Sequence, residues 1–261
     1  SERVNFKQVT LRGLSKDGGL YVPENWKKSK LIIDELNPDF REIATSVISK
    51  FTGNLINKNK LNSLINSSYD NFSSKQVVPL TKINDNLWTL ELFHGPTLAF
   101  KDIALQFLGN IFNYYLKSNK TKLTIIGATS GDTGSAAIEA VKNQENSNIF
   151  ILHPYKRVSE FQRRQMTTVN SDNVFNIAVK GTFDDRQDLV KRLFIDTKMN
   201  NNINLGSINS INWTRIMAQI SYYVFAYYKI RKRTNKDIAF SVPTGNFGDA
   251  YAGYLAKEKF N

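Results

Sequence analysis

One lysine in residues 91–102 stands in a setting suited to covalent chemistry. The run reads Glu-Leu-Phe-His-Gly-Pro-Thr-Leu-Ala-Phe-Lys-Asp, so Lys101 follows an apolar turn that contains Gly95 and Pro96. Desolvation in such a setting disfavours the ammonium form, and only the neutral amine attacks an aldehyde to give a Schiff base. The alternative is a lysine whose stem lies on apolar neighbours while its amine reaches water. A helical pattern begins at Ile103 and would fix Lys101 in place.

A first glycine-rich loop, residues 127–134, offers a place for an anion. It follows a strand-like run at 123–126 and precedes a helical pattern at 135–141. A tight loop between strand and helix leaves free backbone N–H groups at the helix N-terminus, where the helix dipole also attracts negative charge. The alternative is an ordinary turn with Thr or Asp as the N-cap. The loop adds three hydroxyl donors, on Thr129, Ser130 and Thr133.

A second glycine-rich loop, residues 241–249, has the same context. It follows a strand-like run at 238–240 and opens a helix at Ala250. Gly245 and Gly248 let the backbone approach a ligand closely, and consecutive N–H groups there suit a phosphate. Because no Gly-Lys-Ser/Thr follows and the first glycine of the dinucleotide fingerprint is missing, this is not a nucleotide-binding loop.

A desolvated lysine with two anion-binding loops suggests pyridoxal phosphate, with one loop for the cofactor phosphate and the other for a substrate carboxylate. Residues 92–102, 129–134, 209–215 and 241–249 resemble the threonine synthases, and more narrowly their bacterial and fungal class. The opening Gly-Gly-Leu-Tyr-Val-Pro at 18–23 also resembles the N-terminal region of that class. The resemblance extends over essentially the whole chain in one order, so it is more specific than any single motif.

The order of the predicted elements indicates an α/β protein, because strands that alternate with helices favour a parallel sheet with helices on both faces. The predicted strands are 123–126, 149–153, 174–179 and 238–242, and the predicted helices are 39–51, 60–69, 103–116, 135–142, 159–168, 184–196 and 214–231. The resemblance implies pyridoxal-phosphate fold type II (tryptophan synthase β-like). That fold has two parallel-sheet α/β lobes with a cofactor cleft between them, here with an added N-terminal segment.

The domain organisation that we expect has a boundary near residue 88. A threonine synthase N-terminal domain covers residues 1–88, and a pyridoxal-phosphate-dependent catalytic domain covers residues 89–261. The family's chains continue well beyond the second loop, so we expect a C-terminally truncated chain. The part beyond residue 261 would then carry the hydroxyl that bonds the pyridine nitrogen.

The resemblance implies a lyase that converts O-phospho-L-homoserine and water to L-threonine and phosphate. Lys101 would hold the cofactor and, once released, move the substrate protons. The implied cofactor-binding residues are Lys101, Asp132, Gly245, Asn246, Phe247 and Gly248. The implied substrate-binding residues are Thr129, Ser130, Gly131, Thr133, Ser210, Asn212 and Arg215.

Several of these residues keep a structural alternative. A guanidinium binds phosphate through two parallel hydrogen bonds, which suits Arg215, but a surface arginine on a helix is the alternative. Asn212 is equally suited to an N-cap. The role of Asp132 stays open, and His94 is either near the cofactor or a structural histidine. For the basic residues Lys156, Arg157, Arg163 and Arg164, a solvated helix face is favoured over a phosphate site.

The composition limits other function classes. The 261 residues include 35 basic and 23 acidic ones, for a net charge of +12. The basic residues are scattered and no nucleic-acid-binding motif is present, so we expect no nucleic-acid partner. With no cysteine and two histidines, we expect no metal site. No apolar run approaches the ~20 residues that span a bilayer, and no signal-peptide pattern opens the chain.

We therefore expect a cytoplasmic monomer or homodimer with a small-molecule substrate and no membrane partner. Three alternatives stay open. One is a phospholyase or an amino-acid dehydratase of the same fold, which would release a 2-oxo acid. Another is a non-catalytic threonine-synthase-like protein. The third is a nucleic-acid-binding module driven by the net charge, whose binding would fall steeply with salt.

Overall fold

The computed structural model describes residues 2–15, 17, 19–31, 37–129, 131–196, 203–208 and 212–260. The chain forms two compact units, and each unit is discontinuous in sequence. Unit 1 comprises Ser1–Tyr21 and Leu105–Trp213, and unit 2 comprises Val22–Ala104 and Thr214–Asn261. None of the described helices is long and apolar enough to cross a membrane.

Between residues 39 and 231, every predicted helix and strand is present in the predicted order. The helices are α1 (Phe6–Arg12), α2 (Phe40–Thr52), α3 (Lys58–Tyr69), α4 (Lys101–Asn119), α5 (Asp132–Val141), α6 (Glu160–Thr167), α7 (Phe183–Ile195), α8 (Trp213–Arg231) and α9 (Gly248–Phe260), and one 3-10 turn lies at Gly53–Leu55. The strands are β1 (Leu80–Lys82), β2 (Trp88–Leu90), β3 (Leu123–Ala128), β4 (Ser147–Pro154), β5 (Val174–Val179) and β6 (Leu205–Gly206). The predicted elements between residues 39 and 231 are confirmed, with ends that differ by up to three residues. The patterns above do not predict α1, β1, β2 or β6.

A four-stranded parallel sheet with the strand order β5-β4-β3-β6 is the centre of unit 1. Ile125 of β3 lies opposite Ile149 of β4, which in turn lies opposite Val174 of β5. Because all four strands run in the same direction, the loops that follow them meet at one edge of the sheet. The predicted α/β class is confirmed.

Both faces of this sheet carry an apolar cluster. Adjacent residues of β3 contribute to different clusters, since side chains alternate between the faces of a strand. Ile125 packs with Ile138 of α5 and Met166 of α6. Ile126 packs with Val190 of α7. Burying this apolar surface on both faces fixes the carboxyl ends of the strands, where the first glycine-rich loop begins.

Unit 2 is built mainly from helices. Helix α2 begins with a capping box, in which Asp39 and Glu42 each accept the other's backbone N–H. The ring of Phe40 packs 5.4 Å from the ring of Tyr69 on α3 and 5.9 Å, edge to face, from that of Phe225 on α8. These aromatic contacts join three helices of the unit. Strands β1 and β2 pair antiparallel, with Thr81 opposite Thr89.

The predicted strand at 238–242 is wrong for this structure. The backbone N–H and C=O groups of these five residues make no hydrogen bond to any described residue. A strand exists only where a neighbour supplies the complementary groups, and the described part of unit 2 supplies none for this segment. The second parallel sheet that the resemblance implies is therefore also missing from the described residues, where β1 and β2 form the sheet of unit 2.

Candidate active site

Lys101 is the first residue of α4, two residues before the predicted helix start. Its side chain is half-buried, and its Nζ lies 4.7 Å from the centre of the Phe100 ring. Because α4 continues for 19 residues, the backbone of Lys101 is held by a long helix. The structure therefore holds the backbone of this lysine at the start of a long helix and leaves its side chain half-buried.

The turn before Lys101 is fastened to the first turn of α4. Asp102 is fully buried and accepts two hydrogen bonds from Thr97, one from its backbone N–H at 2.8 Å and one from its hydroxyl at 2.7 Å. A Cβ at Gly95 would lie 2.4 Å from the Cβ of Asp102, so only glycine fits there. The glycine and the buried carboxylate together set the path of the chain into Lys101.

Leu98 adds an unusual backbone conformation to the same turn. Its φ is 60°, in the left-handed region that residues with a Cβ seldom adopt outside Asn and Asp. Its N–H donates to the carbonyl of Gly95 at 3.1 Å, and its side chain is 61% exposed. The turn thus holds an apolar side chain out in solvent three residues before Lys101.

His94 has the contacts of a structural histidine. Its Nε2 lies 2.7 Å from Oε2 of Glu91, and its Nδ1 lies 3.3 Å from the hydroxyl of Ser73. Glu91 also accepts the hydroxyl of Thr81 at 2.6 Å, and the bonds from Thr81 and His94 lower the pKa of the Glu91 carboxyl. Both ring nitrogens of His94 have partners, which fits the structural alternative for this residue.

In the first glycine-rich loop, which lies in unit 1, one side chain of the loop accepts hydrogen bonds from two of the loop's own backbone N–H groups. Thr129 is 2% exposed, and its hydroxyl oxygen accepts the N–H groups of Gly131 at 3.0 Å and Gly134 at 2.9 Å. Two of the amides that sequence patterns assign to an anion are thus already hydrogen-bonded. Thr129 organises the loop, and its contact with a substrate stays a prediction. Ser130 lies outside the described residues.

Two positions of this loop require glycine, one because of its backbone conformation and the other because a Cβ has no room. Gly131 has φ 149°, which only glycine adopts readily. A Cβ on Gly134 would lie 2.6 Å from Cγ2 of Thr129 and 2.7 Å from Sδ of Met166. Asp132 and Thr133 are half-buried on the first turn of α5, so this helix end is the accessible part of the loop.

The second glycine-rich loop, in unit 2, is open. The backbone N–H groups of residues 245–247 donate no hydrogen bond to any described residue. A Cβ on Gly245 would meet no atom within 4 Å, and Phe247 is 75% exposed. Helix α9 begins at Gly248, directly after these amides. Free N–H groups at the start of a 13-residue helix form a ready site for an anion.

Asp249, on the first turn of α9, anchors this loop from inside unit 2. Its Oδ1 accepts the hydroxyls of Tyr222 and, at 2.8 Å, Tyr223, both on α8. Burial, followed by the charge of Asp249, raises the pKa of both phenols, so they remain donors. Sequence reasoning missed this cluster because its partners are separated by 26 and 27 residues and no local pattern joins them.

The segment around Arg215 divides between the two units. Asn212, in unit 1, is 1% exposed, and its amide nitrogen donates to the carbonyls of Thr10 at 3.2 Å and Ser207 at 3.1 Å. These bonds are structural, and binding of substrate by Asn212 stays a prediction. Arg215, in unit 2, is the third residue of α8 and 3% exposed, so the alternative of a surface arginine is wrong. Ser210 lies outside the described residues.

The exposed basic residues of unit 1 fit the favoured alternative of a solvated helix face. Arg163 and Arg164 both pair with Glu160, at 2.7 and 2.8 Å. Lys156 lies 5.4 Å from the ring of Tyr155. Among the described His, Asp and Glu side chains, no group of three or more is arranged to hold a metal ion.

The known proteins that this chain is similar to are threonine synthases. Residues 1–69 match the family model described as threonine synthase N terminus. The chain is 49% identical to the threonine synthase of Pseudomonas aeruginosa and 42% identical to that of Saccharomyces cerevisiae, over 97% and 98% of its own length. A crystal structure of pyridoxal-phosphate-bound threonine synthase from Brucella melitensis superposes on 98% of the chain with a TM-score of 0.88 at 43% identity.

The α/β fold and the two helix-capping loops define a protein of the fold type II class of pyridoxal-phosphate enzymes. Within that class, the chain is similar to the threonine synthases over nearly its whole length. The chain spans about half the length of the curated relatives it matches, 54% for the Pseudomonas protein and 53% for the yeast protein.

Proposed function

We propose that this chain acts as a threonine synthase, a pyridoxal-phosphate-dependent lyase that converts O-phospho-L-homoserine and water to L-threonine and phosphate. The observation that carries the proposal is the set of backbone N–H groups at residues 245–247, which donate to no described residue and lie at the start of α9, in the same unit as Lys101. The proposal includes an N-terminal domain over residues 1–88, a catalytic domain over residues 89–261, a cytoplasmic location and a monomeric or homodimeric state.

The residues present suit the cofactor. Its phosphate is an anion, and the loop offers free N–H groups, room above Gly245 and the positive end of the α9 dipole. The carboxylate of Asp249 accepts hydrogen bonds from Tyr222 and Tyr223 on α8, so this side chain is directed to α8 and does not occupy the loop. When bound, pyridoxal phosphate supplies an aldehyde for an amine and an electron sink for carbanion chemistry.

Lys101 has the chemistry to bind the aldehyde and then to move protons. An amine that is released when substrate binds is free to take the proton from Cα and to return a proton later. In the overall reaction, the bond between Cγ and the phosphate oxygen breaks. Cβ gives up one proton and gains the hydroxyl of water, and a proton is delivered to Cγ. The fixed start of α4 would keep the amine within reach of adjacent carbons.

Arg215 is our candidate for the substrate phosphate. Arg215 is 3% exposed, and a guanidinium can bind phosphate through two parallel hydrogen bonds. Ser210 and Asn212 complete this proposed set. The first turn of α5, with Ser130, Gly131, Asp132 and Thr133, is the proposed site for the substrate carboxylate, because Asp132 and Thr133 are partly exposed there.

The first test is covalent trapping of the cofactor. The purified protein is mixed with pyridoxal phosphate, reduced with borohydride and digested, and the modified peptide is identified by mass. We expect one adduct, on Lys101, that is lost in Lys101→Ala and kept in Lys117→Ala, which changes an exposed lysine near the other end of the same helix. An adduct on another lysine, or its survival in Lys101→Ala, would remove Lys101 from this role.

The second test separates the reactions. O-Phospho-L-homoserine is supplied, and phosphate, threonine and 2-oxo acid are measured together. A threonine synthase releases equal amounts of phosphate and threonine, whereas a phospholyase or a dehydratase releases a 2-oxo acid. Arg215→Lys keeps the charge but loses the bidentate geometry, so we expect it to raise the substrate KM at least ~10-fold while cofactor binding is unchanged. Equal loss of both would indicate a folding defect.

A further inference from the structure

Gln162 of α6 lies against the first glycine-rich loop. A Cβ placed on Gly131 would lie 2.3 Å from Oε1 of Gln162, 2.5 Å from its Cδ and 3.1 Å from its Nε2. The amide group of Gln162 therefore covers the side of Gly131 on which any other residue would carry its Cβ. Glycine at position 131 is needed for this contact as well as for its backbone conformation, and both residues belong to unit 1.

The side chain of Gln162 does not cap its own helix. Ser159 and Gln162 have the spacing of a capping box, and the hydroxyl of Ser159 accepts the backbone N–H of Gln162 at 3.3 Å. Helices α1, α2 and α7 complete the box with a bond from the N-cap N–H to the side chain three residues later, but α6 lacks that bond. Helix capping therefore does not account for the position of the Gln162 amide.

The amide of Gln162 has its donor group available. The hydroxyl of Ser159 donates to Oε1 at 3.2 Å, which makes that atom the acceptor and leaves Nε2 as the donor. Nε2 donates no hydrogen bond to any described residue, and the side chain is half-buried. Two N–H bonds therefore lie beside the first turn of α5, where we place the substrate carboxylate.

The charges on α6 favour an anion at this place. Glu160 pairs with both Arg163 and Arg164, at 2.7 and 2.8 Å, and these hydrogen bonds lower the pKa of Glu160 to about 2. Two arginines against one glutamate leave one positive charge, so α6 presents no unpaired acidic side chain to a carboxylate. On α5, Asp132 would repel a second carboxylate, and an amide donor supplied by Gln162 would offset that repulsion.

We propose that Gln162 is a further substrate-binding residue, whose Nε2 donates to the α-carboxylate of the amino-acid substrate at the first turn of α5. This inference rests on the proposed function, because it concerns the same carboxylate site. It adds a residue from α6 to a site otherwise built from one loop and α5. A hydrogen bond to an ionised acceptor is stronger than one to a neutral acceptor, so the contact favours a free α-carboxylate over the corresponding amide.

The first test observes the contact without any turnover. NMR follows the side-chain NH2 signals of the isotope-labelled protein with pyridoxal phosphate bound, and the signal of Gln162 is the one that Gln162→Glu removes. We expect this signal to shift when L-threonine, the proposed product, is added, and to stay in place with L-threoninamide at the same concentration. No shift, or an equal shift with both compounds, would overturn the inference.

The second test measures the effect on substrate use. Gln162→Glu keeps an acceptor for the Ser159 hydroxyl but replaces the donor with a negative charge, so we expect the KM for O-phospho-L-homoserine to rise at least ~10-fold. Gln162→Leu removes the donor without adding charge and should raise the KM less. The kcat should change less than the KM, because a bond to the carboxylate is made equally in the ground state and the transition state.

A matched control makes the same chemical change elsewhere in unit 1. Gln8→Glu adds one negative charge to α1, where glutamate completes the capping box with Asn5 as well as glutamine does. We expect the KM of this variant to equal that of the unchanged protein. An equal rise in Gln8→Glu and Gln162→Glu would reduce the effect to net charge and overturn the inference.

The two tests together separate this inference from the proposed function. Threonine release with an unchanged KM in Gln162→Glu would overturn the role of Gln162 and leave the lyase function standing. A shift of the Gln162 signal with L-threonine but no threonine release would do the reverse. Loss of the Lys101 adduct in both Gln162→Glu and Gln162→Leu would show that Gln162 supports the fold, and this too would overturn the inference.

Discussion

The two glycine-rich loops have the same local pattern, strand-like run, short loop and helix, but they reach different structural states. In unit 1 the run is β3, paired on both sides, and the loop behind it is closed by Thr129. In unit 2 the run at 238–242 pairs with no described residue, and the N–H groups of residues 245–247 donate to none. The strands that pair with β3 are distant in sequence, whereas Thr129 and the two amides that it binds lie within five residues of one another.

This comparison separates two uses of glycine. Gly134 is glycine because Thr129 and Met166 leave no room for a Cβ, so it serves packing. Gly245 has open space around it and no positive φ, so neither packing nor backbone conformation accounts for it. Room for a ligand is the remaining physical reason, and it supports the second loop as the phosphate site.

The largest expected loss of stability comes from a substitution in the first glycine-rich loop. Thr129→Val keeps the shape of the side chain but removes the oxygen that accepts from Gly131 and Gly134. Two buried N–H groups then lose their acceptor, and we expect the free energy of unfolding to fall by about 3 kcal/mol. Urea unfolding measures this loss. Thr129→Ser, which keeps the oxygen, should lose far less, and an equal loss would show that the two hydrogen bonds are not the cause.

Substitution of Asp249, which anchors the second glycine-rich loop, should cause the next largest loss of stability. Asp249→Ala leaves the phenols of Tyr222 and Tyr223 buried without their acceptor, so we expect a loss of about 2 kcal/mol in the free energy of unfolding. Affinity for pyridoxal phosphate should also fall, because the start of α9 loses its attachment to α8. Tyr223→Phe removes one of the two bonds and should show a smaller loss of both. Unchanged cofactor affinity in Asp249→Ala would show that the hydrogen bonds of Asp249 do not affect cofactor binding by the loop.

A pair of glycine substitutions tests the comparison directly. Gly134→Ala forces a methyl against Thr129 and Met166, which should cost about 1–2 kcal/mol of stability. Gly245→Ala should change stability by less than about 0.5 kcal/mol. It should nevertheless weaken binding of pyridoxal phosphate several-fold, as followed by absorbance titration. If Gly245→Ala destabilised the fold and left cofactor binding intact, room for a ligand would not be the reason for glycine at this position.

The smallest expected effect is a pH dependence that belongs to unit 1. His153, at the carboxyl end of β4, is 5% exposed, and burial, aided by the nearby Arg186 and Arg163, lowers its pKa. The unfolded chain therefore binds a proton at a higher pH than the folded chain, so stability falls as the pH drops below about 6.5 toward the folded pKa. Urea unfolding between about pH 7 and pH 5 should show this slope, and His153→Gln should reduce it. A slope that is unchanged in His153→Gln would assign it to another group.

Local patterns account well for the scaffold of the site. Strands β3, β4 and β5 and helices α2 to α8 follow from apolar periodicity and glycine-rich breaks, because these signals lie within a few residues of each other. Helix α1 has only seven residues and little periodicity, but a signal was present. Asn5 and Gln8 form a capping box, and their spacing could have revealed the helix start.

The contacts that decide each residue's role depend on the folded structure, so local sequence patterns do not predict them. Segment 238–242 has the side-chain pattern of a strand, but no described residue pairs with it, because pairing depends on residues far away in the chain. Thr129 and Asn212 were expected to face a substrate, yet in this structure they bond to backbone groups of unit 1. Arg215 could be placed on a helix from its neighbours, but its burial depends on how the unit packs around it.

Leu98 has a consequence for anyone who redesigns this protein for heat resistance. Leu98 has a left-handed backbone conformation and an exposed, branched apolar side chain, so it is an obvious target for substitution. Leu98→Gly or Leu98→Asn should raise the melting temperature by relieving ~1 kcal/mol of backbone strain. The same change would loosen or remove the side chain that projects from the turn leading into Lys101. Thermostability at this position is therefore obtained next to the proposed reacting amine, where stabilising substitutions most often reduce turnover.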